Sequence, residues 1–415
     1  MIARVRHVLV DLRRFPAQLW LLVLGTFVFN LAIGIGMPFE TIYLTDTRHI
    51  SPGTTGAIWT FSALVSLPML IVSGALADRR GRRLLLAISV CAVIFFYLGM
   101  AVSHVVWQFV LITTVEGFFG WPMFLTASNS MIADLVLPER RPEAYGLLRA
   151  AMSAGIVFGP LIAALALDHG ATYPLLFLAA ASGCAVFLVI IVVWIGETRH
   201  LALPVAQHLE YVDEGSLRGY RRVFSDRHFL AFSGAAVLTL FAYGQFLWIF
   251  PLFLRQVLNA PASDWGLLLF LNGLVLTTLQ YPLVRLAKRT APLYAMAWSG
   301  VLIAVGVGAI AFATAPWQAV PLVIVFSLGE AILWPISSTV IAGLAPAELR
   351  GRYTGAWTIV DCGGRGLGPF FGGFGMDRFG ARRTFVGIMG LGLLGAALFP
   401  ALQRREQRRP QQPIE

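Results

Sequence analysis

Continuous apolar runs, each long enough to cross a bilayer, leave this chain few folds to adopt. The first extends from about Ala17 to Leu44, and eleven more follow at about 54–77, 84–104, 106–133, 143–168, 172–195, 229–255, 263–284, 291–313, 316–342, 352–374 and 384–402. A hydrocarbon core of ~30 Å needs about 20 apolar residues at ~1.5 Å rise, so these runs predict twelve membrane-spanning helices. A membrane barrel would instead need short segments alternating apolar and polar, and these runs are unbroken. Composition agrees: 58% of the 415 residues are hydrophobic and only 13% are charged, about half the charge of a soluble domain.

The net charge of +10 is almost entirely arginine, with Lys288 the only lysine. No basic stretch is long enough to make a nucleic-acid arm, so the excess is read as topology. With the N-terminus inside, the N-terminal tail, the even-to-odd connections and the C-terminal tail hold 24 of the 31 Lys and Arg residues. Both termini are therefore expected to be cytoplasmic. Arg378, Arg382 and Arg383 run against this pattern, but moving them inside would put the C-terminal arginines on the wrong side as well. Cys91, Cys184 and Cys362 all lie within apolar runs, which argues against a disulfide framework or a metal site. No cleavable signal peptide is expected, because the first run is too long and leads into the second. No GxxxxGK[ST] phosphate loop occurs, so no cofactor is expected and the energy source is expected to be an ion gradient.

The longest polar interval, Glu197 to His228, follows the sixth run and splits the spans into two sixes. The predicted organisation is an N-terminal bundle over 1–196, a linker over 197–228 and a C-terminal bundle over 229–415. The halves repeat at an offset of about 209: Gly34 answers to Gly244, Gly56 to Gly266, Gly159-Pro160 to Gly368-Pro369, and Asp168 to Asp377. Ile132-Ala133-Asp134-Leu135 likewise recurs as Ile341-Ala342-Gly343-Leu344. Two parallel six-helix repeats enclose a central cavity, which is the plan of an alternating-access carrier.

Between spans 2 and 3 stands Gly74-Ala-Leu-Ala-Asp-Arg-Arg-Gly-Arg-Arg83, dense in charge and flanked by oily sequence. It resembles the loop signature of the major facilitator superfamily through Gly74, Leu76, Asp78, Arg79, Gly81, Arg82 and Arg83. Span 5 carries Gly155, Gly159 and Pro160, similar to the antiporter motif of the drug:proton exporters, although Ala163 and Ala164 replace that motif's trailing glycines. The resemblance implies an all-α membrane protein of 12 transmembrane helices in two pseudo-symmetric bundles. It also implies that the loop is a cytoplasmic gate, with Arg79 or Arg82 pairing with Asp134 and Asp78 lying near the start of span 11. Leu286-Ala287-Lys288-Arg289 is the eroded second copy, so the latch is expected to act from the first half. Many exporters carry an arginine in span 4 where this chain has Glu116, so that arginine's proton handling does not transfer.

Charges near a bilayer midplane cost at least ~2.5–3.5 kcal/mol and mark function by default. The candidates are Glu116 in span 4, Glu330 in span 10, Asp361 and Arg365 in span 11, Glu40 at the outer end of span 1, and Arg149 in span 5. Glu116 and Glu330 are near-equivalents in the repeat, each shortly before a Trp-Pro pair, and are expected to face each other across the cavity. A carboxyl in a dry site favours its neutral form, while water or a cationic substrate favours the carboxylate, so proton and substrate would compete. The bland alternative is that each acid is hydrogen-bonded to a neighbouring helix. Asp361 and Arg365 stand one turn apart and can pair within their helix, or Arg365 can instead reach across to Glu330 and favour its charged form. Arg149 can snorkel to the surface, and Glu40 can be a solvated rim acid or one that attracts cations.

Aromatic residues are plentiful on the cavity spans, including Phe29, Phe118, Tyr243, Phe246, Trp248 and Trp334. Flat apolar walls with one or two acids suit lipophilic or cationic solutes. The linker can lie on the anionic inner leaflet or act as a plain tether. The expected activity is proton-coupled export of drug-like small molecules by a monomer in a bacterial inner membrane. The alternatives are a carrier for one metabolite and a non-transporting sensor or scaffold.

Overall fold

The computed structural model describes residues 15–201, 221–346 and 349–407, and among these there is no β-strand. The N-terminal arginines up to Arg14 and linker residues 202–220, read above as a surface helix or a tether, lie outside the described residues. Twelve long helices follow one another: α1 Ala17–Gly36, α2 Pro52–Arg80, α3 Arg82–Val102, α4 Val106–Leu135, α5 Arg141–Asp168 and α6 Tyr173–Val193, then α7 Arg227–Trp248, α8 Ala262–Ala287, α9 Pro292–Gly308, α10 Ala319–Leu344, α11 Arg350–Phe379 and α12 Ala381–Gln407. Eleven of these segments are long and apolar enough to cross a membrane. The twelfth, α11, has the length but carries Asp361 and Arg365 mid-helix and many glycines.

Two compact units emerge from the contacts. The first comprises Met1–Met37 and Val65–Glu214, the second Pro38–Leu64 and Gly215–Glu415. The division runs through α2, whose first half packs with the second unit.

In the first unit, α1 lies against α5 at glycine contacts. A Cβ on Gly159 would stand 2.5 Å from the Gly34 carbonyl carbon, and one on Gly155 would stand 2.6 Å from the Leu31 nitrogen. These backbones touch, so the glycines of the antiporter-like motif are required for packing alone. Phe29 of α1 fills the interior between Phe124 of α4, 4.7 Å away between centroids, and Phe187 of α6 at 5.7 Å. The Tyr97 hydroxyl of α3 donates to the Ile33 carbonyl at 3.3 Å.

The second unit repeats that contact between α7 and α11. Gly244 sits against the Arg365 backbone and Gly368 against the Phe241 carbonyl, while Gln245 Nε2 donates to the Gly368 carbonyl at 2.8 Å. Asp226 caps α7 through the amides of His228 and Phe229 at 2.8 and 3.3 Å and accepts from the Tyr353 hydroxyl at 2.7 Å. Burial opposes its charge, but these donors outweigh burial and hold its carboxyl below the usual aspartate range. Residues 38–64 join this unit by polar bonds. The Gly53 amide donates to Asp377 at 2.9 Å, the Thr60 hydroxyl to the Gly366 carbonyl at 2.6 Å, and Arg255 Nε lies 2.7 Å from Asp46. Trp59 stacks on Trp248 at 4.4 Å.

Several spans read as uninterrupted runs are broken, the seventh at Ile249 between Arg227–Trp248 and Phe250–Gln256. α1 passes after Gly36 through a short 3-10 turn, a helical turn and a wide π-type turn ending at Thr47. α4 breaks at Gly120, whose ψ of −99° is outside the helical range. Pro122, at the start of the second half, has no N–H and its ring would crowd the carbonyl four residues back, which favours an interruption there.

Candidate functional site

Glu330, in the middle of α10, is only 8% exposed. Tyr243 of α7 donates its hydroxyl to Oε1 at 2.6 Å, and Asn272 of α8 donates its amide to Oε2 at 2.9 Å. The same amide lies 2.9 Å from Ser327 Oγ, one turn earlier on α10. The Trp334 side chain, one turn later, also bonds to this carboxyl. One acid therefore ties three helices, and both its oxygens are engaged. Aromatic rings wall it in, with Tyr243 lying 5.4 Å from Phe326 and 5.5 Å from Trp334 between centroids.

Asp361 and Arg365 pair within α11, Nε to Oδ1 at 2.7 Å and NH2 to Oδ2 at 2.5 Å. Two N–H groups on one guanidinium edge are thus matched to both carboxylate oxygens, the geometry that makes such pairs strong. The guanidinium also lies over the Trp334 ring, 5.2 Å from its centroid, and interacts electrostatically with Glu330. Trp334 connects the two acids, packing under the arginine of one and bonding to the carboxyl of the other.

Glu116 has a different setting from its repeat-equivalent. It lies on the turn before Gly120, half-buried, and its carboxylate accepts the backbone N–H of Trp121. That amide begins the second half of α4 and has lost its helical partner at the break. Glu116 serves as an internal cap where Glu330 binds other helices. Glu40 is 3% exposed, so a solvated rim position is corrected to a buried one. Arg149 lies exposed on α5.

The loop signature forms a second cluster, wholly in the first unit. Arg82 is at its centre: NH2 lies 2.8 Å from Asp78, NH1 donates to the Ala77 carbonyl at 3.2 Å, and Nε stands 3.1 Å from Asp134, an ion-pair distance without hydrogen-bond alignment. Of the two arginines proposed for Asp134, Arg82 is therefore the partner. Arg79 instead offers its carbonyl to Arg199 at 3.0 Å. Arg83 donates to the Ile191 and Val192 carbonyls at the end of α6. Gly81 has φ +97°, a conformation open to glycine and strained for other residues, and a Cβ there would collide with Glu197. Leu76 is half-buried and Gly74 exposed, with open space where a side chain would point.

Glu197 itself was read only as the start of a linker. Its carboxylate accepts from the amides of Arg82, Arg83, Thr198 and Arg199 at 3.0–3.2 Å, the first two being free N–H groups at the start of α3. Burial opposes the charge, yet these amides prevail and hold its carboxyl below the usual glutamate range. Thr198 completes the knot by donating to Asp134 at 2.9 Å. An acid in a polar interval gives no sequence sign that it caps a helix more than a hundred residues away. Among the described residues the second-half copy has no such cluster. Gly343 replaces Asp134, and Lys288, at the end of α8, makes no ion pair among the described residues.

Membrane-crossing helices in a duplicated arrangement, with acids held inside the spans, define a multi-pass carrier of small molecules rather than an enzyme. The chain belongs to the Major Facilitator Superfamily, whose family model matches residues 22–369 and 249–415. It is 26% identical over 381 residues to the MFS-type transporter YqjV of Bacillus subtilis (strain 168), covering 91% of each chain. It is 28% identical over 384 residues to the multidrug resistance protein MdtH of Cronobacter sakazakii (strain ATCC BAA-894), covering 90% of this chain and 89% of that one. Among solved structures, the nucleoside transporter NupG superposes with a TM-score of 0.80 at 14% identity, over 94% of this chain and all of that one.

Proposed function

We propose that the protein is a proton-coupled exporter of lipophilic or cationic drug-like small molecules, acting by alternating access in a bacterial inner membrane with both termini inside, and that Glu330 is its proton carrier. The observation that carries this reading is the placement of the Glu330 carboxyl, buried among α7, α8 and α10 with rings around it and an arginine nearby. Gaining or losing a proton there changes what Tyr243, Asn272 and Trp334 must satisfy, so protonation is coupled to how three helices pack. Asp361 keeps Arg365 paired, which leaves Glu330 free to change charge. Glu116, occupied by its own helix backbone, is assigned to structure. The likeness to MdtH supports the drug-like substrate class. The loop cluster on Arg82 is assigned to the inner gate, and the carrier is taken to work as a monomer.

A second reading is favoured by the polar density at this site. Tyr243, Asn272, Ser327, Asp361 and Arg365 offer directional bonds that one defined metabolite could use.

The test is reconstitution into proteoliposomes with an imposed pH gradient and ethidium as the cationic dye. Glu330→Gln is expected to lower gradient-driven ethidium flux at least about tenfold, the scale of one charge-assisted interaction, while Glu116→Gln keeps most of it. Undiminished flux in Glu330→Gln would overturn the proton assignment. Loss in both variants would return Glu116 to the coupling site.

A further inference from the structure

A cavity of about 330 Å³ opens between α4 and α5, lined by Leu125, Asn129, Tyr145, Leu148, Arg149 and Met152. Its volume is within the range of small-molecule sites, ~300–1,000 Å³. Its chemistry is one-sided. Leu125, Leu148 and Met152 give apolar walls, and Arg149 supplies a full positive charge with no acidic residue in the lining. Arg149 stands eight residues into a spanning helix, about 12 Å from its start. Arg149 is exposed, so its charge is open to an anion entering the cavity.

No described residue supplies a counter-charge. Asp134, on the same half of α4 as Asn129, is held by Arg82 and Thr198, and Glu143 on α5 is paired with Arg140 at 3.2 Å. Among the described residues Arg149 makes no ion pair or hydrogen bond. The Asn129 side-chain amide makes none either, although its backbone carbonyl accepts the Tyr145 hydroxyl at 3.2 Å. That bond holds Tyr145 against α4, closing one side of the cavity. What remains uncommitted is a guanidinium fork and a carboxamide beside an apolar wall, the complement of a carboxylate or phosphate attached to a hydrocarbon body.

We propose that this cavity is a binding site for anionic amphiphiles, with Arg149 and Asn129 holding the carboxylate or phosphate and Leu125, Leu148 and Met152 the apolar part. The site is in the first unit, separate from the Glu330 cluster, and it extends the range of ligands beyond the lipophilic and cationic class. The anion can be that of a dissolved solute or the headgroup phosphate of a membrane lipid.

The probe is 2-naphthoate, measured by equilibrium dialysis against the full-length protein in phosphatidylcholine nanodiscs. Saturable binding is expected, with neutral 2-naphthylmethanol at least about tenfold weaker, as loss of charge-assisted hydrogen bonds implies. Arg149→Gln is expected to weaken naphthoate by a similar factor. Arg149→Lys, which keeps the charge but not the fork, should fall between. Asn129→Ala should weaken it by a smaller factor, with thermal unfolding midpoints of all variants near that of wild type. Repeating the titrations of wild type and Arg149→Gln in phosphatidylglycerol nanodiscs separates the sources: an affinity that falls further for wild type than for the variant identifies an anionic lipid headgroup as the resident anion, and an equal fall, which is surface repulsion alone, identifies a solute. Equal naphthoate binding by wild type and Arg149→Gln, or no saturable binding in phosphatidylcholine, overturns the proposal. The readout needs no gradient and no flux, so it stands or falls separately from the proton assignment of Glu330.

Discussion

Tyr243 illustrates how much a single side chain holds at the Glu330 site. Its hydroxyl is the shortest donor to the carboxyl, at 2.6 Å, and its ring lies against Phe326 and Trp334. Tyr243→Phe retains the ring and its contacts while removing one donor from a buried acid. Leaving a buried polar group short of a partner costs about 1–3 kcal/mol. The variant is therefore expected to unfold at a lower temperature than wild type in detergent, whereas Tyr281→Phe, at a ring 77% exposed, should not. A matching midpoint for Tyr243→Phe would show that the hydroxyl bond contributes nothing. The burial of Glu330 was legible in the sequence because the residue stands inside an apolar run. Its partners were less so: Tyr243 and Asn272 are 87 and 58 residues away, and nothing in the spacing says which faces of α7, α8 and α10 meet. The Asp361–Arg365 pair was legible as one of two readings, since a separation of four on one helix permits the contact without excluding a reach from Arg365 to Glu330.

At the level of the element, the connection between α2 and α3 is a helix N-terminus capped by a distant acid. Glu197 takes the amides of Arg82 and Arg83, and Gly81 adopts a positive φ beside it. Because the folded carboxyl is held below its ordinary value, its contribution is complete above that ordinary value and is lost as pH falls through the lowered one. Hydrogen–deuterium exchange of the Gly81–Arg83 amides, corrected for the intrinsic pH dependence, is expected to accelerate on acidification below the ordinary glutamate range. In Glu197→Gln the exchange should already be fast at neutral pH and should lose that acid step. An acid step retained in the variant would assign the titration to another group. The elements themselves were predicted well, because twenty-residue apolar runs have one stable form in a bilayer. The interruptions were missed for the same reason: Gly120-Trp121-Pro122 is as apolar as its surroundings, and hydropathy does not register a backbone break.

Across the whole molecule, the repeat recovered from the sequence reappears as matching geometry at two related helix ends, both of them in the second unit. His49 and Asn259 both adopt positive φ, at 55° and 52°, after helix ends whose amides bond alike: Ile50 to Leu44 and Ala260 to Leu254. The ion pair between Asp46 and Arg255 joins these two related ends. What the repeat did not disclose is that residues 38–64 belong to the second compact unit, through Asp46–Arg255, Gly53–Asp377 and Thr60–Gly366. These bonds hold this stretch to the second unit. The Asp46–Arg255 side chains are partly exposed, at 22% and 29%, so the pair is worth only about 1 kcal/mol. Arg255 also donates to the Ala260 carbonyl at 2.5 Å, so Arg255→Gln removes two constraints from the same turn. Asp377 accepts the Gly53 amide at the start of α2, where an acid is also favoured by the helix dipole. Arg255→Gln combined with Asp377→Asn is expected to speed amide exchange across Gly53–Thr60 severalfold while leaving Gly81–Arg83 unchanged. Equal exchange in wild type and variant would show that these bonds do not hold that stretch and leave the Trp59–Trp248 stack and the glycine contacts of α2 and α11 to do so.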